Sequence, residues 1–244
     1  MIWLGNVSKS YEKGGELAVD RLQLQVKPGE IFGFLGPNGA GKTTTIKMVT
    51  GILRPDEGEI EVDGVSMVDS PLEAKGRIGY VPDQPEAIMR VTGWEYLRFI
   101  ADVYGVSEEE RKVRLPQLLE RYGMEEAVYD LMNGYSRGMK QKLAVIASLI
   151  HDPAVWILDE PMVGLDPQAA MVVKEEMKKW RDRGKTIFFS THVLEVAERL
   201  CDRVAILQKG QLMAVGTMDE LKQGSGVVAD EETLERLFLE LTGT

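Results

Sequence analysis

The run Gly36-Pro37-Asn38-Gly39-Ala40-Gly41-Lys42-Thr43 fits the spacing G-x-x-x-x-G-K-[ST], a pattern whose residue types suit a polyphosphate. Glycines let the backbone turn tightly, so that its N–H groups face inward around phosphate oxygens. A helix beginning near Lys42 aims its partial positive end at the same point. The Lys42 ammonium can then reach the β- and γ-phosphates, with Thr44 following in the same turn. The Thr43 hydroxyl suits Mg2+, a hard cation that prefers oxygen. A second cluster, Val155-Trp156-Ile157-Leu158-Asp159-Glu160, is an apolar strand ending in two carboxylates. Asp159, at the tip, is placed to hold Mg2+ through water. Glu160 points differently and can orient and deprotonate an attacking water. Two adjacent carboxylates at the end of a buried strand are costly unless a cation compensates. Together the two clusters define a nucleoside-triphosphatase; a kinase, a GTPase and a motor all fit them.

These residues need strands and helices to hold them. Residues 30–35 (EIFGFL) form a nearly continuous apolar run, as in a sheet covered on both faces, and lead directly into the glycines. Residues 22–26 alternate like an exposed sheet. Lys27-Pro28-Gly29, Asp56-Glu57-Gly58 and Asp63-Gly64 read as turns. From about residue 85 to 150 the pattern is helical, with capping boxes at Thr92/Glu95 and Ser107/Glu110 and breaks at Gly105 and Gly123. Asp166-Pro167 opens a helix that Gly184 closes. Residues 185–190 form another buried strand, and a helix follows to about Cys201. Residues 204–208 and 211–215 are strands around the turn Lys209-Gly210, and Thr217/Glu220 is a further capping box.

The expected fold is therefore α/β: a P-loop core of mixed, mainly parallel sheet with helices, an N-terminal antiparallel β-subdomain and a helical insert. The expected division is a nucleotide-binding core over 1–84 and 151–222, a helical subdomain over 85–150 and a helical tail over 223–244, all in one domain.

Between the insert and the acidic strand lies Tyr135-Ser136-Arg137-Gly138-Met139-Lys140-Gln141, which resembles the L-S-G-G-Q signature of ABC ATPases. Gly164-Leu165-Asp166 resembles that family's D-loop and Ser190-Thr191-His192 its switch histidine. The order and spacing of the motifs cover essentially the whole chain. The resemblance implies the ATP-binding, ATP-hydrolysing subunit of an ABC transporter, with ATP and Mg2+ as cofactors. Two protomers, identical or different, would sandwich two MgATP head to tail. Ser136, Arg137, Gly138 and Met139 would face the nucleotide of the partner, since Ser136 opens a helix and supplies an anion site. His192 would contact the γ-phosphate as a catalytic residue beside Glu160 and Lys42, Asp166 would couple the two sites, and Tyr11 would stack on adenine. Trp94, Tyr96, Phe99 and Tyr104 become candidates for a groove that receives a separate transmembrane permease, and the family wording points to an exporter.

The chain departs from the family pattern at three places. Arg137 stands where Gly is usual, either adding positive charge near the γ-phosphate or pointing to solvent, and Met139 stands where Gln is usual. Met162 stands where Thr is common. The Q-loop position after Pro82 is Asp83, with Gln84 next, so either could face the Mg2+.

Bulk properties narrow the field. The chain has 244 residues and a net charge of −10, without the basic face of a protein that holds nucleic acid. It has one cysteine, Cys201, and two histidines, His151 and His192; that excludes an intrachain disulfide and argues against a zinc site. No apolar run approaches the ~20 residues of a membrane span, and the start lacks signal-peptide character. The expected location is cytoplasmic, on the inner face of the membrane through the permease.

Overall fold

The computed structural model describes residues 1–12, 14–85, 90–224 and 234–242. It opens with an antiparallel pair, β1 (Ile2–Ser10) and β2 (Leu17–Val26). Next come β3 (Ile31–Leu35), α1 (Lys42–Val49), β4 (Glu57–Val62), β5 (Val65–Ser66), α2 (Pro71–Gly76) and β6 (Ile78–Val81). Three helices follow: α3 (Gly93–Val103), α4 (Glu108–Tyr122) and α5 (Arg137–Leu149). The chain then alternates β7 (Val155–Asp159), α6 (Pro167–Asp182), β8 (Thr186–Thr191), α7 (Leu194–Leu200), β9 (Arg203–Gln208) and β10 (Gln211–Gly216). It finishes with α8 (Met218–Gly224) and α9 (Leu234–Thr242).

Two sheets result. The small one is antiparallel in the order β2-β1-β4-β5, and the large one runs β10-β9-β3-β8-β7-β6, parallel except for the β9–β10 hairpin. This is the mixed, mainly parallel α/β arrangement expected, with the antiparallel β-subdomain at the N-terminal end.

Alternation along the strands divides the core between the two faces of the large sheet. Val155 and Ile157 of β7 and Phe188 of β8 join α1 and the small sheet in one apolar cluster. Trp156 and Leu158, with Ile187 and Phe189, pack on the other face against α5, α6 and the helices of the insert. Every residue of β3, β7 and β8 is buried, which is why their apolar runs are continuous. Trp156 is fully buried, and its indole N–H donates to Ser148 Oγ at 3.0 Å.

The insert is punctuated as expected. Thr92 and Ser107 both make complete capping boxes, Gly105 takes φ +64 and Gly123 closes α4 at φ +62. Asp166 caps α6 and Gly184 follows it at φ +78.

One reading is corrected. Glu57 and Gly58 belong to β4 and not to a turn. The β1–β4 register slips between the pairs Gly5/Glu59 and Ser8/Glu57, and Gly58, at φ +88, sits in that bulge. A Cβ there would lie 2.5 Å from the carbonyl oxygens of both Gly5 and Asn6, so the glycine serves a close approach of two strands. The strand β1 had no clear alternation in its sequence; its inner residues Ile2, Leu4 and Val7 are selected by pairing with β2 and β4 on either side.

Candidate functional site

The C-terminal ends of β3, β7 and β8 lie side by side, and their loops build the site. After β3 the chain turns through residues 36–41. The glycines at both ends of this turn have no room for a side chain. A Cβ on Gly36 would sit 2.6 Å from Leu207 O, and one on Gly41, at φ +102, would sit 2.5 Å from Ala18 O. Backbone bonds complete the loop: Ala40 N–H donates to Pro37 O at 3.1 Å, and Gly210 N–H to Ala40 O at 3.0 Å. The Lys42 ammonium folds back over the turn, donating to Gly36 O at 2.6 Å and Pro37 O at 3.2 Å. Burial pushes its pKa down, and the carboxylates of Glu160 and Asp159 oppose that shift. Those two carboxylates thus act on the ammonium of the loop, although more than a hundred residues separate them in sequence. Thr43 is exposed and Thr44 is buried. The exposed Tyr11 reaches the same turn, its hydroxyl 3.1 Å from Thr44 Oγ1.

The acidic tip is organised by Ser190, which the sequence shows only as part of the switch-histidine motif. Ser190 pairs with Asp159 across the parallel β7–β8 ladder. Its hydroxyl donates to Asp159 Oδ1 at 2.6 Å and accepts the backbone N–H of Glu160 at 3.0 Å. One side chain therefore orients both carboxylate residues. Glu160 takes φ +49, an uncommon conformation for a residue with a side chain. The reversal separates the direction of its carboxylate from that of buried Asp159. His192, just past β8, places Nδ1 3.0 Å from Glu160 Oε1. Only the register of two strands could reveal Ser190. Tyr80 lies close by: burial first, and then Asp159 and Asp83, push its phenol above the ordinary range. Asp83 is half-buried and Gln84 exposed.

The signature residues stand at the start of α5. Ser136 is its N-cap, with Oγ accepting the Met139 N–H at 3.2 Å. Gly138 packs against Gly164 O, and buried Gln141 donates to Pro161 O at 3.4 Å. Asp166 caps α6 by accepting the Ala169 N–H at 2.8 Å, a bond that holds its carboxyl below the usual range. Lys142 lies 3.7 Å from the same carboxylate. The guanidinium-bearing side chain of Arg137, expected either near phosphate or in solvent, is exposed yet has its stem laid against Gly164.

Of the groove candidates, Phe99 is exposed and Trp94 half-buried, 5.8 Å from the ring of Tyr129. Burial pushes the phenols of Tyr96 and Tyr104 upward, and Tyr104 stacks on His151 at 3.7 Å. Residues 86–89 of the expected groove lie outside the described residues.

A glycine turn with a folded-back lysine, facing a carboxylate tip, defines a P-loop nucleoside-triphosphatase. The comparisons make this particular. A family model described as ABC transporter matches residues 19–163. The linearmycin resistance ATP-binding protein LnrL of Bacillus subtilis is 38% identical over 91% of this chain and 70% of its own. The solved structure of an ATP-binding subunit of an ABC transporter superposes with TM-score 0.93 at 34% identity, covering 99% of both chains. The dimeric ATP-binding cassette MJ0796, solved in a post-hydrolysis state with ADP and Pi, gives TM-score 0.80 at 28% identity over 89% of this chain and 99% of that one. The chain belongs to the ABC transporter family as an ATP-binding subunit, and it is an ATPase whose cofactors are ATP and Mg2+. The donor set fits both: a cradle closed to Cβ atoms for the phosphates, and the oxygens of Thr43 and Asp159 for the ion. Among the described residues no helix is long and apolar enough to cross a membrane.

Proposed function

We propose that this ATPase works as one half of a head-to-tail pair that closes on two MgATP and drives a separate transmembrane permease. Within one protomer, residues 36–41 with Lys42, Thr43 and Thr44 hold the phosphates and Tyr11 stacks on the base. Thr43 and Asp159 would hold Mg2+, which when bound would supply charge neutralisation for the phosphates. Asp83, half-buried and acting with Asp159 on the phenol of Tyr80, takes the Q-loop role in preference to the exposed Gln84.

Glu160 orients the attacking water and receives its proton as the water oxygen bonds to the γ-phosphorus and ADP leaves. Among the described residues His192 meets Glu160 at Oε1, which leaves Oε2 for that water. His192 also senses the γ-phosphate through its other nitrogen. The observation that carries this reading is the Ser190-bridged pair Asp159 and Glu160 acting on the ammonium of Lys42, with His192 on Glu160.

The described contacts of Ser136 and Gly138 run to Met139 and Gly164. That pattern leaves the capping serine, Gly138 and Met139 for the partner's nucleotide, with Arg137 laid against Gly164 and Asp166 close to the junction. The exposed apolar side chains of Phe99 and Val103 on α3 suit a short permease helix. The chain then sits in the cytoplasm against the membrane, and the resistance role in the name of its Bacillus relative favours export. The division into a core over 1–84 and 151–222, a helical subdomain over 85–150 and a tail from 223 follows the same reading.

The test is the size in solution of the Glu160→Gln protein with and without MgATP. A shift from monomer to dimer that needs MgATP is expected. A protein that binds MgATP and stays monomeric would overturn the pairing of identical subunits.

A further inference from the structure

The segment 161–166 runs from the residue that handles water to α6 and passes against the first turn of α5, which carries the signature. Its ends are tied down. At one end Glu160 is held by Ser190 and its carbonyl accepts the Val163 N–H at 3.1 Å. At the other, Leu165 N–H donates to Met162 O at 3.3 Å and Asp166 caps α6. Between them lies Gly164, at φ +84. There the chain meets the first turn of α5 twice. A Cβ on Gly164 would come 2.9 Å from Nε, 3.0 Å from Cδ and 3.1 Å from Cγ of Arg137, and a Cβ on Gly138 would come 3.1 Å from Gly164 O. The Cγ, Cδ and Nε of Arg137 therefore fill the space into which a side chain at position 164 would project.

We propose that Arg137 is a positioning residue: its aliphatic stem, and not its charge, locks residues 161–166 onto the signature turn within the same protomer. Glu160 and Ser136 then move as one body, so that the water-activating group of one site stays registered with the phosphate contact that the same protomer offers to the other. A Gly at position 137 would leave Gly164 uncovered. The consequence for turnover rests on the proposed pairing; the lock itself concerns one chain.

The test compares Arg137→Ala, which removes the stem, with Arg137→Met, which keeps an unbranched stem without the guanidinium. Backbone hydrogen exchange over residues 161–166 is read on the isolated nucleotide-free chain, and phosphate release is read with saturating MgATP. Arg137→Ala is expected to raise exchange in that segment roughly tenfold and to lower kcat about tenfold with KM within about twofold. Arg137→Met is expected to recover most of both losses. Unchanged exchange in Arg137→Ala, or a Met variant as impaired in turnover as the Ala variant, would overturn the lock. Should Glu160→Gln fail to pair while the exchange pattern holds, the pairing falls and the lock stands.

Discussion

The phosphate turn and the signature turn are both short, glycine-containing entries to a helix, yet they are held in opposite ways. The phosphate turn is held by backbone. Gly36 and Gly41 press against the carbonyls of Leu207 and Ala18, and Gly210 bonds back to Ala40. The signature turn is held by side chains: Arg137 over Gly164, Gln141 at Pro161 O and Lys142 beside Asp166. Backbone contacts have no rotamers to change, so the first turn is set before ligand arrives. Side-chain contacts depend on the residue at each position, so the second turn is fixed only while Arg137, Gln141 and Lys142 keep theirs. The other end of α5 is anchored by side chains as well. There Trp156 donates to Ser148, Arg114 donates to Ile150 O, and His151 Nε2 lies 3.0 Å from Ile78 O.

The contrast can be broken from both sides. The largest effect belongs to the chemistry that the rigid side serves. Glu160→Gln should lower phosphate release by about 10²–10⁴-fold while nucleotide binding persists, measured by released phosphate beside equilibrium binding. Gly41→Ala attacks the rigid turn itself: a Cβ 2.5 Å from Ala18 O at φ +102 should cost about 3 kcal/mol in urea unfolding. Ser190→Ala leaves buried Asp159 without its donor and Glu160 N–H without its acceptor. It should cost about 2 kcal/mol of stability and weaken turnover with little change in fold, read by circular dichroism and steady-state kinetics.

The smallest effect tests the anchored end of α5. Burial pushes the His151 imidazole from its ordinary 6.5 down to about 4. Below pH 6.5 the unfolded chain takes up a proton that the folded chain refuses, so stability is full above that value and is lost as pH falls toward 4. Between pH 7 and 5 this group should remove about 2 kcal/mol. His151→Phe keeps a ring against Tyr104 and should flatten that window in paired unfolding curves.

Much of this was legible in the residues, for local reasons. The glycine run states its own backbone geometry, and Thr92/Glu95, Ser107/Glu110 and Asp166 carry caps that need only a few neighbouring positions. The buried strands β3 and β7 declare themselves by continuous apolar runs. The mistaken turn at Glu57-Gly58 shows the limit, since a glycine that serves a bulge and one that serves a turn look alike until the opposing strand is known.

By itself, then, the sequence determined which residues could cradle phosphate, which carboxylates end the central strand, and where the helices begin, because each depends on covalent geometry or on contacts within about four residues. Only the tertiary structure decided that Ser190 orients both Asp159 and Glu160, that His192 meets Glu160, and that Arg137 lies on Gly164. Those pairs are joined by the parallel register of β7 and β8 and by the packing of α5 against the segment after β7. Such long-range pairing is set by the fit of whole elements, and the residues it brings together carry no mark of it in their own neighbourhoods.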